Sequence, residues 1–357
     1  MHAFSSAEGP DRPAVGSGAS PKSPDLAAKV AFLSDPAAYG TGVGVQAVET
    51  HMSWVFLAGD RAFKLKKPVR FPYLDFSTLA LREKYCQAEL ALNRRLAPDV
   101  YLGVRPLTLT EGERLRIGGG GEVVDWLVEM RRLPADRMLD RLIAGHVADG
   151  RIVDQLAERL AAFYRTAARP EASPQAYIAK LEAEQQLNRD TLSRRDCPIP
   201  PERALGLLDR VDRALSTYRP QLEERAAQGW LVDGHGDLRP EHICFQNGVI
   251  IFDCLEFNDA LRQVDPVDEI AYLAIECSRL GADRIGAQVW QRVRRLLDWP
   301  DPVPLFAVHA ARRGLLRARL SLSHLFDPKP RNLEKWAPLA MQYLGLTERA
   351  LDELAGC

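Results

Sequence analysis

A chain of 357 residues, 46% hydrophobic and 27% charged, is long enough to bury most of its apolar surface without disulfides or metals. Its 47 Lys plus Arg against 48 Asp plus Glu leave a net charge of −1, which argues against whole-molecule electrostatic binding of nucleic acid or a membrane. No run reaches the ~18 apolar residues of a membrane span, the six cysteines form no CxxC pair, and the N-terminus lacks the order of a signal peptide, so a reduced, cytoplasmic protein is expected.

In chain order, residues 1–25 are rich in Ser, Gly, Ala and Pro and read as a disordered tail. Gly40, Gly42 and Gly44 read as linker. Strands are predicted at Val45–Thr50 and Trp54–Ala58. After the Gly59-Asp60-Arg61 turn, Phe63 and Leu65 alternate with Lys64 and Lys66, so a hairpin strand carries both lysines on one face. Only nine residues are lysines, and three of them, Lys64, Lys66 and Lys67, sit together here. A helix is predicted over 78–96, capped by Ser77 or Thr78, with Leu81, Tyr85, Leu92 and Leu96 as its apolar positions. Strands follow at Leu102–Leu109, Arg114–Ile117 and Val123–Met130.

Beyond residue 135 the pattern turns helical. Ile152–Ala168 is amphipathic, with Val153, Leu156, Leu160, Phe163 and Tyr164 on one stripe. Helices are expected near 174–194, 201–228, 266–280, 283–298, 304–325 and 332–355. Between the second and third of these lie a loop rich in Gly, His and Asp (233–242), a hairpin turning at Gln246-Asn247-Gly248, and a buried strand, Val249–Phe252, that delivers Asp253. The fold class is α+β and bilobal: a small antiparallel-sheet N-lobe over 26–130 and a larger helical C-lobe over 131–357.

Chemistry concentrates in His235-Gly236-Asp237-Leu238-Arg239-Pro240-Glu241-His242, followed sixteen residues after Asp237 by Asp253. One loop carboxylate can take a proton from a hydroxyl or orient it, and a second can hold Mg²⁺ against phosphate oxygens. Phosphoryl transfer needs little beyond such positioning and charge neutralisation. No GxxxxGK[ST] phosphate loop occurs in the sequence.

This segment resembles the catalytic loop of the protein-kinase-like fold, and is particularly similar to the His-Gly-Asp-Leu of aminoglycoside phosphotransferase-like kinases. Asp265-Pro266-Val267-Asp268-Glu269-Ile270-Ala271 resembles the Asp-Pro-x-x-Asp-Leu-Ala helix start of the same family. The resemblance implies a kinase that moves the γ-phosphoryl group of ATP or GTP, with Mg²⁺, to a hydroxyl of a small molecule. It implies Asp237 as catalytic base or orienting carboxylate, Arg239 as a cation for the transferring group, and His235 in the same loop, orienting it through hydrogen bonds. Asp253 would be the main metal ligand. His242 stands where the family carries Asn as second metal ligand, and Glu256 is an alternative ligand.

The resemblance also makes Lys64 the phosphate-pairing lysine, leaves Lys66 open on the same face, and implies a helix carboxylate as partner, with Glu89 best placed and Glu83 the second choice. It implies a nucleotide-covering turn at Thr50–Ser53 that includes Ser53. The hinge at Glu129, Met130 and Arg131 through Leu133 would offer its backbone to adenine, and 170–230 would be an acceptor-site insert. Some relatives join this domain to a P-loop ATPase, which implies such an ATPase as a separate partner. Two other readings stand beside this one: a Ser/Thr protein kinase, suggested by Arg239-Pro240-Glu241, and a nucleotide-binding regulatory module, suggested by His242.

Overall fold

The computed structural model describes residues 24–40, 42, 44–327, 330 and 332–356. The predicted tail, 1–25, lies outside them except at its end, where Asp25 caps helix α1 (Leu26–Ser34) by accepting from the Ala28 N–H at 2.8 Å. This helix is missing from the sequence reading. Its Lys29 donates to the Val124 carbonyl and to the Asp125 carboxylate, both at 2.8 Å, which pins it to the sheet.

The N-lobe sheet is built from β1 (Val45–Glu49), β2 (Ser53–Ala58), β3 (Arg61–Lys66), β6 (Tyr101–Leu109), β7 (Leu115–Ile117) and β8 (Glu122–Arg131). A small hairpin, β4 (Arg70–Phe71) and β5 (Leu74–Asp75), follows β3. The sheet is antiparallel throughout, in the order β1-β2-β3-β8-β6-β7, and β3 lies at its centre with Lys64 opposite Val55 and Val128. Alternation works as predicted. Phe63 and Leu65 enter the core that holds Leu33, while Ala62 packs on the other face with Cys86 and Val128.

Helix α2 (Leu79–Asn93) covers that second face, with Thr78 accepting from the Leu81 N–H. The expected apolar stripe is not its inward face. Leu81, Tyr85 and Leu92 are half-buried, Leu96 is buried but lies beyond the end of the helix at Asn93, and the buried positions within it are Arg82, Cys86, Glu89 and Asn93. This polar stripe is tolerated because each charged or amide group meets a partner from a distant element: Arg82 pairs with Asp125 at 2.7 Å, Glu89 with Lys64 and Lys66, and Asn93 with the Cys254 N–H.

The C-lobe consists of α3 (Leu139–Ala144), α4 (Gly150–Thr166), α5 (Pro174–Leu192), α6 (Pro201–Thr217), α7 (Arg219–Ala227), the short α8 (Asp259–Arg262), α9 (Pro266–Arg279), α10 (Asp283–Leu297), α11 (Val303–Ser323) and α12 (Leu333–Ala355). The single helix expected over 201–228 is two, because Pro220 cannot supply the N–H that would continue α6 and instead starts α7. The stripe of α4 is buried as predicted, against α9 and α10. Helix α9 begins with Asp265 accepting from the Val267 N–H, and it is buried from Pro266 to Cys277, which makes it the axis of the lobe. The short strands β9 (Val232–Asp233), β10 (Ile243–Phe245), β11 (Val249–Ile251) and β12 (Gln263–Val264) pair as β10 with β11 and β12 with β9, and hold the loop between the lobes. Among the described residues no helix is long and apolar enough to cross a membrane.

Candidate active site

The loop 234–242 leaves β9 and is locked from behind by Glu269 on α9. The buried Glu269 carboxylate accepts from the His235 N–H at 2.8 Å, the Gly236 N–H at 2.7 Å and the Tyr164 hydroxyl at 2.8 Å. Gly234 passes so close that a Cβ there would lie 2.8 Å from Glu269, and Gly236 has φ +84° with a Cβ position 3.1 Å from Leu255.

His235 is buried, and its two nitrogens identify its form. Nε2 faces the Phe252 carbonyl at 2.8 Å, which can only accept, and Nδ1 faces the Asp237 N–H at 3.3 Å, which can only donate. The ring is therefore the neutral Nε2–H tautomer. Burial pushes its pKa down to about 4, aided by the neighbouring His242. His235 is a positioning residue that orients the loop through these bonds: neither nitrogen is free to move a proton. A depressed histidine pKa means that the folded state disfavours the charged ring. Its stability contribution is full above the unfolded pKa of about 6.5 and falls by about 1.4 kcal/mol per pH unit between about 6.5 and 4. Nitrogen NMR of the imidazoles at pH 6 is expected to find His235 neutral with the proton on Nε2; a charged ring or the other tautomer would refute this assignment.

Asp237 accepts from the Tyr272 hydroxyl at 3.0 Å and pairs with Arg239 at 3.0 Å. Burial pushes its carboxyl up, but Arg239, His242 and Arg317 outweigh that and hold it below the ordinary carboxylate range. His242 stands between the two aspartates, 3.6 Å from Asp237 Oδ2 and 3.5 Å from Asp253 Oδ2. Its Nδ1 donates to the Asp237 carbonyl and its Nε2 accepts from Arg239, each at 3.0 Å. Both ring nitrogens are thus engaged in bracing the loop, which departs from the metal-ligand position expected of it.

Asp253, two residues past the end of β11, is in the left-handed region, φ +61°, an uncommon conformation for a residue with a Cβ. Two N-lobe residues hold it there: the Asp253 N–H donates to the Tyr101 hydroxyl at 3.1 Å, and the Cys254 N–H donates to Asn93 Oδ1 at 2.9 Å. Its side chain remains 41% exposed toward the cleft. Burial raises the Asp253 carboxyl, but Lys64 and His242 pull it far below the usual range.

Lys64 and Lys66 divide what the sequence leaves undivided. Lys64 joins Glu89 at 2.9 Å to Asp253 at 2.7 Å. Lys66 is fully buried and joins the other Glu89 oxygen at 2.6 Å to Glu256. The result is a ladder of alternating charge, Asp253–Lys64–Glu89–Lys66–Glu256. Desolvation of the ladder is offset by the acids, which raise both lysines, and by the lysines, which lower Glu89; burial keeps Glu256 above its ordinary value. Glu256, expected as an alternative metal ligand, is instead closed on Lys66.

These groups open on a cleft of about 620 Å³ between the lobes. Its walls include Ser53 and the turn before it, Ala62, Lys64, Met130, Arg131, Asp237, His242 and Asp253. Ser53 is buried, its N–H donating to Thr50 Oγ1 at 3.0 Å, so the turn is braced within itself. Of the hinge residues, Met130 faces the cleft. Arg131 and Leu133 also line it; the Arg131 N–H is donated to the Val100 carbonyl at 2.8 Å, and the Glu129 side chain pairs with Arg105 at 2.6 Å. Tyr101, Asn93, Tyr272 and Glu269 contact the site residues, and the sequence reading gives none of them a role there. Only Glu269 carried a signal, its place in the Asp265–Ala271 run.

Comparison with protein-family models gives no match. An uncharacterized protein of Mycobacterium tuberculosis (strain ATCC 25618 / H37Rv) is 32% identical over 286 residues, which cover 79% of this chain and 55% of the relative. The chain thus spans about half the length of the curated relatives it matches. Among solved structures, the choline/ethanolamine kinase family protein from Mesorhizobium loti superposes with a TM-score of 0.55 at 14% identity, covering 93% of this chain and 99% of that one. A thermostable mutant of aminoglycoside phosphotransferase APH(4)-Ia gives 0.53 at 14% identity, covering 92% and 99%. At such identity the likeness is one of fold.

Proposed function

We propose that this chain, which has the protein-kinase-like fold of the aminoglycoside phosphotransferases and choline/ethanolamine kinases, is a phosphotransferase that moves the γ-phosphoryl group of ATP or GTP to a hydroxyl of a small molecule. The observation that carries this reading is the convergence of Asp237, Asp253 and Lys64 on one cleft, with His242 within 3.6 Å of both aspartates.

In this reading Lys64, held by Glu89, pairs with nucleotide phosphates. Asp253 fits Mg²⁺: it is a carboxylate with an open face, kept ionised by Lys64, and Mg²⁺ is commonly held through one or two carboxylates plus phosphates. His242 fits a hard cation less well, because nitrogen is the poorer donor and its ring is already spoken for. When bound, the ion would neutralise charge on phosphate oxygens.

Asp237 accepts the acceptor's O–H. A carboxylate held below its ordinary pKa is a weak base, so its main contribution is to orient the hydroxyl oxygen toward phosphorus, taking the proton only as that oxygen becomes acidic during transfer. Arg239, 3.0 Å from Asp237, supplies positive charge beside the transferring group.

A protein substrate is disfavoured by the short path from Asp253 to Pro266, taken up by α8 and β12 with no long activation segment. A nucleotide-binding module without transfer is favoured by one feature, the engaged imidazole of His242. Phosphorus NMR of the chain with Mg²⁺, ATP or GTP, and a pool of hydroxyl-bearing metabolites separates these readings. A new phosphomonoester accompanied by nucleoside diphosphate is expected. Nucleotide that binds but stays intact across the pool would favour the module.

A further inference from the structure

We propose that His51, His324 and Asp327 form a binding site for a divalent transition ion of the zinc class, clasping the turn between β1 and β2 to the C-terminal end of α11. The three side chains come from both lobes, with His51 and His324 separated by 273 residues of sequence, yet one ligand atom from each lies within 4.8 Å of the other two. His324 Nδ1 and Asp327 Oδ2 are 3.7 Å apart.

Both imidazoles are oriented by stacking. His51 lies on Phe71 of the N-lobe, centroids 4.8 Å apart at 22°. His324 lies on Trp336 of α12, 4.0 Å apart at 21°. The two rings meet edge to face, 6.0 Å apart at 86°, so neither blocks the other's nitrogen.

Two imidazoles and one carboxylate form a donor set suited to zinc and unattractive to a hard ion such as Mg²⁺. Three atoms at this spacing need to close by less than about 1 Å each to reach the 2.0–2.2 Å of zinc–ligand bonds, within the reach of exposed side chains. The turn that carries His51 forms part of the cleft wall, so an ion here ties that edge of the cleft to the helical lobe. The site itself does not depend on the phosphotransfer reading.

Calorimetric titration of the full chain with Zn²⁺ alone, without nucleotide, tests it. One site is expected, weakened at least about tenfold in both His51→Ala and His324→Ala and unchanged in Asp253→Asn. All three substitutions are at side chains with exposed surface, and unaltered circular dichroism would confirm that the variants fold. Amide exchange in the turn at 50–52 is expected to slow on adding Zn²⁺ to the parent chain but not to His324→Ala. Absence of binding, binding that survives both histidine substitutions, loss of binding in Asp253→Asn, or unchanged amide exchange would each overturn the proposal.

Discussion

Replacing Asp237 with asparagine is expected to lower phosphoryl transfer by about 10²–10⁴-fold while leaving nucleotide affinity within a few-fold. The amide keeps the shape of the side chain and can still accept from the Tyr272 hydroxyl, now at 3.0 Å from Oδ1. It loses the negative charge that Arg239 neutralises, and it can no longer take the acceptor's proton. Nucleotide affinity is spared because Lys64 and Asp253 lie on the other side of His242. The check is single-turnover transfer together with equilibrium nucleotide binding. Full transfer by Asp237→Asn would remove Asp237 from the mechanism.

The two lysines of β3 should fail in different ways. Lys64→Met removes the cation that links Glu89 to Asp253, and transfer is expected to drop by about 10²-fold or more. Its cost in stability is smaller, because Asp253 is 41% exposed and Glu89 retains Lys66. Lys66→Met keeps the volume of the side chain but leaves the buried Glu89 and Glu256 carboxylates facing each other without the cation between them. Removing one partner of a buried pair costs about 3–5 kcal/mol, so denaturant unfolding should show a large loss of stability. The folded fraction should still bind nucleotide. The opposite assignment, a stable Lys64→Met with full transfer and a folded, inactive Lys66→Met, would place the phosphate contact on Lys66.

Why the sequence left those lysines undivided is instructive. Period-two alternation in Ala62–Lys66 says that both lie on one face, and that is how they lie. It says nothing of depth along the strand, which is set by where α2 crosses. The stripe of α4 was legible for the same reason: an apolar pattern and its buried face coincide. On α2 they do not. Its inward residues are Arg82, Glu89 and Asn93, whose partners Asp125, Lys64 with Lys66, and the Cys254 N–H are far off in sequence. A local pattern cannot predict burial of a polar group that is stabilised from a distance.

The site follows the same division. Asp237 and Asp253 stood out because the hairpin between them, turning at Asn247 and Gly248, is written in the sequence and brings them to one place. The residues that tune them were hidden. Tyr101 and Tyr272 reach the two aspartates through hydroxyl groups from β6 and α9, and Glu269 grips the loop through its backbone. Position in the chain makes His242 and Glu256 candidate ligands; their neighbours in the fold, Arg239 and Lys66, engage them first.

The most direct test of the cleft as a metal–nucleotide centre is calorimetric titration of the chain with ATP and with GTP, each with and without Mg²⁺, beside the Asp253→Asn variant. One nucleotide is expected to bind per chain, with affinity that requires Mg²⁺ and falls at least about tenfold in Asp253→Asn. Binding of neither nucleotide, or Mg²⁺-dependent binding that Asp253→Asn leaves intact, would contradict it.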